Sequence, residues 1–591
     1  MEYRWIFNPD PNPEQTENLS GVLNNLPLSL ARALIARGVE TFEKARTFFR
    51  PSLDQLHDPF LMQDMDAAIA RIVQAVEAQE KVLVYGDYDV DGTTSTALMT
   101  LFLRELGLEV SYWIPDRIKD GYGLCNAGMD IAVERGASLV IALDCGVTAV
   151  EEAAYAKSIG LDLIICDHHK PSDTLPDAIA VLDPKRDDCP YPFKELSGCG
   201  IGFKVIQGVL AKIDKPAEDA YPYLDLVAIS TASDIVPLEG ENRVLMVEGL
   251  NRMRDKPRRG VKALASIANQ DLRQCSTGQI VFGIGPRINA AGRLGDAQRA
   301  VALLVAEEDH EAYTLAQVLE QANQKRRDLD RDTQREAMIK AERQLSGANQ
   351  HGVVVHDEDW HPGVVGIVAS RLVEKFYRPA IVLTTVNGVV KGSARSIHGL
   401  SVYEAIKKCS DLLTTFGGHD YAAGLAMPEE KVNAFRERFN QAVGEMITPE
   451  LMKPVIKVDA SLDLNEVSKR FWAVLKQFAP FGPANSKPVF MARDLELAKP
   501  PRLMGRDGTH LKFWVRQKSG GYNTLEVIGF GMHEYKKTLE ESKQQGVPIE
   551  MLFSVEENTW NGVSNLQLKA RDLRLQKLTS AQRVEIKDYS N

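Results

Sequence analysis

Cysteine is scarce in this 591-residue chain: there are seven, an odd number, and no CxxC pair. That excludes a disulfide framework and a thiolate zinc site, and it fits a reducing compartment such as the cytoplasm. Long apolar runs are lacking too; none approaches the roughly 20 residues that cross a bilayer. The opening MEYRWIFNPDPNPEQ has no basic stretch followed by an apolar one, so no secretory leader is expected. Positive charge is in deficit: 70 Lys+Arg against 81 Asp+Glu leaves a net charge of −11. Proteins that coat nucleic acid take their affinity from Lys and Arg, so that class is disfavoured. A nucleic-acid enzyme is not, because carboxylates that hold metal ions lose their negative character once loaded. Glycine and proline are missing altogether from residues 296–346.

What the chain does have is alternation of helical and strand patterns. Residues 1–60 read as a mixed lead-in, with SLARALIARG a short helix ending at Gly38. Within 61–295, MDAAIARIVQAVEAQ is helix-like, KVLVY a strand, GDYDVDG a loop and TTSTALMTLFLRELG a helix; VSYWIP, SLVIAL, LDLIIC and IAVLD continue the strands. Strands separated by amphipathic helices indicate a parallel sheet, with ligands beyond the carboxyl ends of its strands. Residues 296–350 predict one or two long helices, reaching roughly 60 Å if about 40 residues are helical. Such an element bridges two lobes. GVVVH opens a second, smaller α/β region over 351–448, and TPELMKP reads as a linker. Over 455–578, short alternating segments such as LKFWVRQ, TLEVIGFG, IEMLFSVEE and LQLKARDLRL predict a small β-barrel.

Four segments place acidic or imidazole groups directly after an apolar stretch: Asp87, Asp89 and Asp91 in GDYDVDG, Asp144 in IALDCG, Asp167, His168 and His169 in IICDHH, and Asp234 in AISTASDIVPL. The first three follow strands and should gather on one rim of the sheet. Carboxylates crowded together raise one another's pKa, and divalent cations remove that cost. Carboxylates with imidazole suit Mn²⁺ or Mg²⁺; without thiolates Zn²⁺ is the poorer fit, and Cys145 and Cys166 read as buried small hydrophobes. Two ions sharing Asp144 would activate water and stabilise both oxygens of an in-line phosphoryl displacement. An EF-hand reading of DxDxDG fails, since the twelfth position is Leu98 or Thr100 rather than Glu and a strand precedes it.

VYGDYDVDGTTS, ALDCGVT, CDHHKP and STASDIVPL resemble the motifs of the DHH phosphoesterase superfamily, and HPGVVGIVASR, GSARS and FGGHDYAAG resemble its companion DHHA1 domain. The resemblance implies a parallel-sheet DHH lobe and a smaller α/β DHHA1 lobe joined by long helices, followed by an OB-like nucleic-acid-binding barrel. It also implies metal-dependent hydrolysis of single-stranded DNA, 5′→3′, to 5′-mononucleotides in recombination and repair. One ion would be held by Asp91, Asp144, His168 and Asp234, a second by Asp89 and Asp144 with Asp87. His169 would contact the scissile phosphate, orient a ligand, or serve only as a hydrogen-bonded histidine.

For the substrate, GIGPRINAAGR holds Arg287, Asn289 and Arg293; a guanidinium there would bind phosphate, the resemblance favouring Arg287, the alternative being a glycine-rich turn with solvated arginines. The resemblance implies that His361, Ser393, Arg395, Gly417, Gly418 and His419 hold the 5′ end opposite the ions, with Arg395 and His419 offsetting charge on the phosphoryl oxygens; read alone, His361 is equally a core histidine or cap, and GGH a simple turn. KRRDLDRDTQR reads as a solvated helix face, or as a strand guide through Lys325, Arg326 and Arg327. His510, Lys512, Phe513, Trp514 and Arg516 fit base stacking, or one buried strand face. Two rivals remain: an oligoribonuclease or cyclic-dinucleotide phosphodiesterase of the same superfamily, and a non-catalytic DNA-binding scaffold. The family further implies a monomer acting with single-strand-binding protein and a RecQ-type helicase.

Overall fold

The computed structural model describes residues 2–9, 11–117, 119–347, 350–518, 524–560 and 562–576. Of the segments expected above, 1, 10, 118, 348–349, 519–523, 561 and 577–578 lie outside the described residues. Ser52–Lys453 form one compact unit; residues up to Pro51 and from Pro454 onward form another.

The first unit is built on five parallel strands. Their order is Val110–Trp113, Val82–Gly86, Leu139–Leu143, Asp162–Cys166, Ala180–Leu182. The chain enters in the interior of the sheet, moves to one edge, then crosses back. Strand order therefore reverses between Val82–Gly86 and Leu139–Leu143, where a crevice opens at the carboxyl ends. Every residue of VLVYG and LVIAL is buried, so these strands read as continuous apolar runs. Val82, Val84, Ile141 and Leu143 face one core, while Leu83, Tyr85, Val140 and Ala142 face the other.

The glycine- and proline-free stretch forms Gln298–Val305 and the 37-residue helix Asp309–Leu345. At 1.5 Å per residue the latter is about 55 Å long. Its Ala312, Ala316 and Leu319 are buried in the core around the parallel sheet. Ala337 and Ala341, some six turns on, are buried with Val353, Val368 and Leu372 of the smaller lobe. The helix thus ties two cores together through small residues that permit close approach.

The smaller lobe has a five-stranded sheet in the order Thr415–His419, Ala422–Met427, Val389–Arg395, Ala380–Val386, Val353–His356. Only the last two strands are parallel. Val365–Phe376 covers one face and Val432–Met446 the other.

In the second unit, Phe490–Met504, His510–Gln517, Leu525–Gly529, Val563–Leu575 and Ile549–Trp560 pair in that order, and Phe490–Met504 also pairs with Ile549–Trp560. That extra pairing closes a barrel. The expected lead-in is not a separate element here: Arg4–Phe7 pairs in parallel with Val455–Val458, and Leu30, Leu34 and Phe48 share a core with Phe471, Phe478 and Phe490. The long strand Phe490–Met504 escapes sequence reading because KPP interrupts its alternation.

Candidate metal centre and anion cavity

Asp87 directly follows Val82–Gly86, Asp144 follows Leu139–Leu143, and Asp167, His168 and His169 follow Asp162–Cys166. Asp89 caps helix Val90–Glu105, its carboxylate accepting the Gly92 N–H at 3.1 Å, and Asp91 sits in the first turn. Asp234 ends helix Leu224–Ser233. Three sets of ligand atoms converge: Asp91, His168 and Asp234; Asp87, Asp89 and Asp144; and Asp144, His168 and His169. His168 Nε2 lies 3.1 Å from Asp144 Oδ1, 3.5 Å from Asp234 Oδ2 and 3.7 Å from Asp91 Oδ2.

Asp144 adopts a left-handed backbone, φ 64°, uncommon for a side-chain-bearing residue though best tolerated by Asp and Asn. Gly198 fits against it so closely that a Cβ there would stand 2.7 Å from the Asp144 Cβ. Only glycine lets helix Gly198–Lys212 start at this point.

The electrostatics is that of a site short of positive charge. Burial, then the neighbouring carboxylates, hold Asp87 and Asp144 well above the usual carboxylate range. Asp234 is pushed up to about 8 by burial and Asp91. Burial pulls His168 down, favouring the neutral imidazole that ligates metals. Among the described residues, Asp87 Oδ1, Asp144 Oδ1 and both His168 ring nitrogens are buried without a hydrogen-bond partner. Buried acceptors aimed at one another fit hard divalent cations.

His169 differs from its neighbour. Its Nδ1 is 2.7 Å from Asp167 Oδ1, and Tyr122 Oη reaches its ring at 3.2 Å. Burial opposes its protonation, but the Asp167 hydrogen bond and the surrounding carboxylates raise it to about 9. Asp167 itself would be raised by burial; the His169 pairing and the Val147 amide bring it down to about 2. Asp167 also accepts both the His168 and His169 amides, which fixes the imidazole-bearing turn.

The smaller lobe faces this sheet with an arginine-rich cavity of about 440 Å³, lined by Arg117, Arg293, Lys391, Ser393, Arg395 and Gly418, among others. Arg395 Nη1 donates to Ser393 Oγ at 2.8 Å, and Arg293 Nη1 donates to the Gly363 carbonyl at 2.9 Å. Burial, then Arg117, Arg326 and Arg395, draw Arg293 down to about 10. Guanidinium groups crowded without a carboxylate in the lining call for a multiply charged anion.

Ser393, Arg395 and Gly418 line this cavity; Gly417 and His419 lie exposed on strand Thr415–His419 and are not among its lining residues. His361 Nδ1 accepts the Gly363 N–H at 3.0 Å, a local loop contact. Asn289 lines a smaller cavity of about 180 Å³ with Ser233, Arg293 and Arg326. Arg287, for which a phosphate role was expected, does not line the arginine-rich cavity. Its side chain is buried, paired with Glu320 at 2.6 Å, and donates to the Gly283 carbonyl. GIGPRINAAGR is helical rather than a turn, over Gly285–Leu294, so Arg293 lies nearly two turns beyond Arg287, on the cavity. Arg117 was missed, because DRIKDGYG carries no local phosphate signature. In the barrel the residues of LKFWVRQ alternate between two faces of one strand. Leu511, Phe513 and Val515 are buried, while the Trp514 ring has the Lys499 and Lys512 ammonium groups 5.0 and 5.3 Å from its centre.

Residues 81–231 match the DHH family, N-terminal domain, residues 349–445 the DHHA1 domain and residues 458–572 the RecJ OB domain. Fold and site thus define a DHH-family protein with a DHHA1 lobe and an OB barrel. The single-stranded-DNA-specific exonuclease RecJ of Bacillus subtilis (strain 168) is 39% identical over 564 residues, 95% of this chain and 70% of that protein. RecJ of Salmonella typhimurium is 35% identical over 568 residues, 93% and 96% of the two chains. The crystal structure of RecJ from Thermus thermophilus with Mn²⁺ superposes with a TM-score of 0.81 at 28% identity, covering 97% of this chain and 80% of that one. With Mg²⁺ the TM-score is 0.75 at 27% identity, covering 97% and 79%. The chain belongs to the RecJ family of single-stranded-DNA-specific exonucleases.

Proposed function

We propose that this protein hydrolyses single-stranded DNA from its 5′ end, releasing 5′-mononucleotides with the help of two divalent ions, Mn²⁺ or Mg²⁺. One observation carries the reading. Arg117 lines the arginine cavity, and its guanidinium lies 4.8 Å from the ring centre of Tyr88, the residue between Asp87 and Asp89. The anion cavity and the carboxylate cluster are therefore neighbours within one unit. A 5′-phosphate held by Arg293, Arg395 and Ser393 would leave a following phosphodiester at the cluster. Polarity and product follow the family resemblance.

Asp91, Asp144, His168 and Asp234 would hold one ion, and Asp87, Asp89 and Asp144 the other. The ions supply Lewis acidity and a water deprotonated near neutral pH. His169, held through its Nδ1 by Asp167, would contact the phosphoryl oxygens or orient a ligand once substrate is bound. His419, exposed on its strand, would take up charge on the phosphoryl oxygens only once substrate is bound. The barrel sets this chain apart from two-lobed oligoribonucleases and cyclic-dinucleotide phosphodiesterases. No helix among the described residues is long and apolar enough to cross a membrane. Single-strand-binding protein and a RecQ-type helicase as partners, and a cytoplasmic monomer as the working form, complete the proposal on the resemblance.

Arg293→Gln is the test of the cavity. Loss of a charge-assisted contact costs about 1.5–3 kcal/mol, so KM for 5′-phosphorylated strands should rise roughly 10- to 100-fold. KM for 5′-hydroxyl strands should rise far less. Equal effects on both would refute phosphate capture there. Trp514→Ala should weaken binding of long single strands by about 1–3 kcal/mol, read by fluorescence anisotropy; an unchanged Kd would remove Trp514 from the binding face.

A further inference from the structure

The carboxylates of the cluster are not held alike. Asp87 Oδ1 and Asp144 Oδ1 have no hydrogen-bond partner among the described residues. Asp91 is gripped from several sides. Its Oδ2 accepts the Gly198 N–H at 2.7 Å, and its Oδ1 accepts the Cys199 N–H at 2.9 Å and the Ser230 hydroxyl at 2.7 Å. Ser95 Oγ stands 3.3 Å from the same Oδ1. Gly198 and Cys199 open the 15-residue helix Gly198–Lys212, whose first amides have no partner within the helix. Ser230 comes from another helix, Leu224–Ser233, and is fully buried.

A carboxylate only accepts, so the Ser230 proton points at Asp91. Ser197 Oγ, 2.7 Å from Ser230 Oγ, must then donate to Ser230, while it accepts the Gly200 N–H as the helix cap. The result is a one-way chain: Gly200 amide, Ser197 hydroxyl, Ser230 hydroxyl, Asp91 Oδ1. Every donor on Oδ1 turns that oxygen away from the cluster and leaves Oδ2 facing His168 Nε2.

We propose that Ser230, backed by Ser197 and the Gly198–Cys199 amides, is a positioning residue that fixes the Asp91 carboxylate so that a single oxygen is offered to a divalent ion. The inference rests on the metal assignment of Asp91 given above. Without Ser230 the carboxylate regains rotation about its Cβ–Cγ bond, and ion affinity at the Asp91, His168 and Asp234 position falls. Partners of this kind are typically worth about 10- to 100-fold in metal affinity. Two amides remain on Asp91, so the lower end applies.

The test is Mn²⁺ titration of the full chain by calorimetry and by electron paramagnetic resonance, for wild type, Ser230→Ala and Asp91→Ala. Ser230→Ala is expected to bind one ion about tenfold more weakly. Its kcat should return to the wild-type value at saturating Mn²⁺, recovery that a general folding defect would not show. Wild-type affinity in Ser230→Ala beside lost binding in Asp91→Ala overturns the positioning role and leaves the metal assignment standing. Wild-type binding in Asp91→Ala overturns the assignment beneath it. Should Ser230→Ala fail to fold, Ser197→Ala breaks the same chain one hydroxyl further out. It is expected to weaken one ion too, by less than Ser230→Ala does, and unchanged affinity there overturns the proposal.

Discussion

Asp144→Asn is expected to lower the rate of single-strand hydrolysis by roughly 10³-fold or more, because Asp144 belongs to two of the three ligand sets and several kcal/mol of transition-state stabilisation depend on those ions. Asparagine is the informative substitution. It tolerates the left-handed backbone found at this position, φ 64°, where alanine would add strain. It keeps the shape of the side chain and removes its charge, so a loss of activity reports on ligation rather than on folding. Mn²⁺ stoichiometry by calorimetry should fall from two ions to one or none. Chelation with EDTA should silence the wild-type protein to the same level, and added Mn²⁺ should restore it. Full activity in a purified Asp144→Asn protein would remove the metal assignment.

The largest expected effect on stability lies away from the chemistry. Lys204 Nζ and Glu241 Oε1 form an ion pair at 2.6 Å with both side chains essentially sealed from water. Glu241 also accepts the His57 amide and the Tyr191 hydroxyl, each at 2.8 Å, and Lys204 donates to the His57 carbonyl at 2.9 Å. Glu241→Leu would strand the Lys204 ammonium with one carbonyl partner, at a cost of about 3–5 kcal/mol. The double variant Lys204→Met with Glu241→Leu should recover the part of that loss due to the stranded ammonium, while the His57 amide and Tyr191 hydroxyl stay unsatisfied in both variants. Urea unfolding of the two variants checks this; a double variant as unstable as the single one would show that the network, not the stranded charge, sets the cost. Lys204 lies on Gly198–Lys212, the helix whose amides grip Asp91, so a destabilised Glu241→Leu protein should also hold Mn²⁺ less well.

The parallel sheet was legible because buried parallel strands leave unmistakable apolar runs, and VLVYG, LVIAL and DLIIC each end at a ligand-bearing turn. The long helix was legible from the missing glycine and proline. Arg287 and Arg293 could not be told apart in the sequence, because charge and glycine-rich surroundings suit phosphate equally well at both. Which of two arginines six residues apart lines a cavity is decided by helix phase and by whether a carboxylate such as Glu320 already holds one of them. Arg117 and the grip of Gly198, Cys199 and Ser230 on Asp91 left no trace in spacing, since the grip unites segments over 100 residues apart.

By itself, then, the sequence determined the class of chemistry. Eight acidic and imidazole positions after apolar stretches leave few alternatives to divalent ions, whatever the net charge of −11 suggests. Local periodicity also settled the two lobes, the bridge and the barrel, because hydrophobic burial repeats at the pitch of each element. Tertiary structure alone decided the partners. It joined the N-terminal helices to the barrel core, turned Arg287 inward and Arg293 toward the cavity, and left Asp144 Oδ1 bare while saturating Asp91 Oδ1. The physical reason is common to all of these. A side chain's chemistry is local, but its burial, its charge neighbours and its free lone pairs belong to residues that only folding brings within reach.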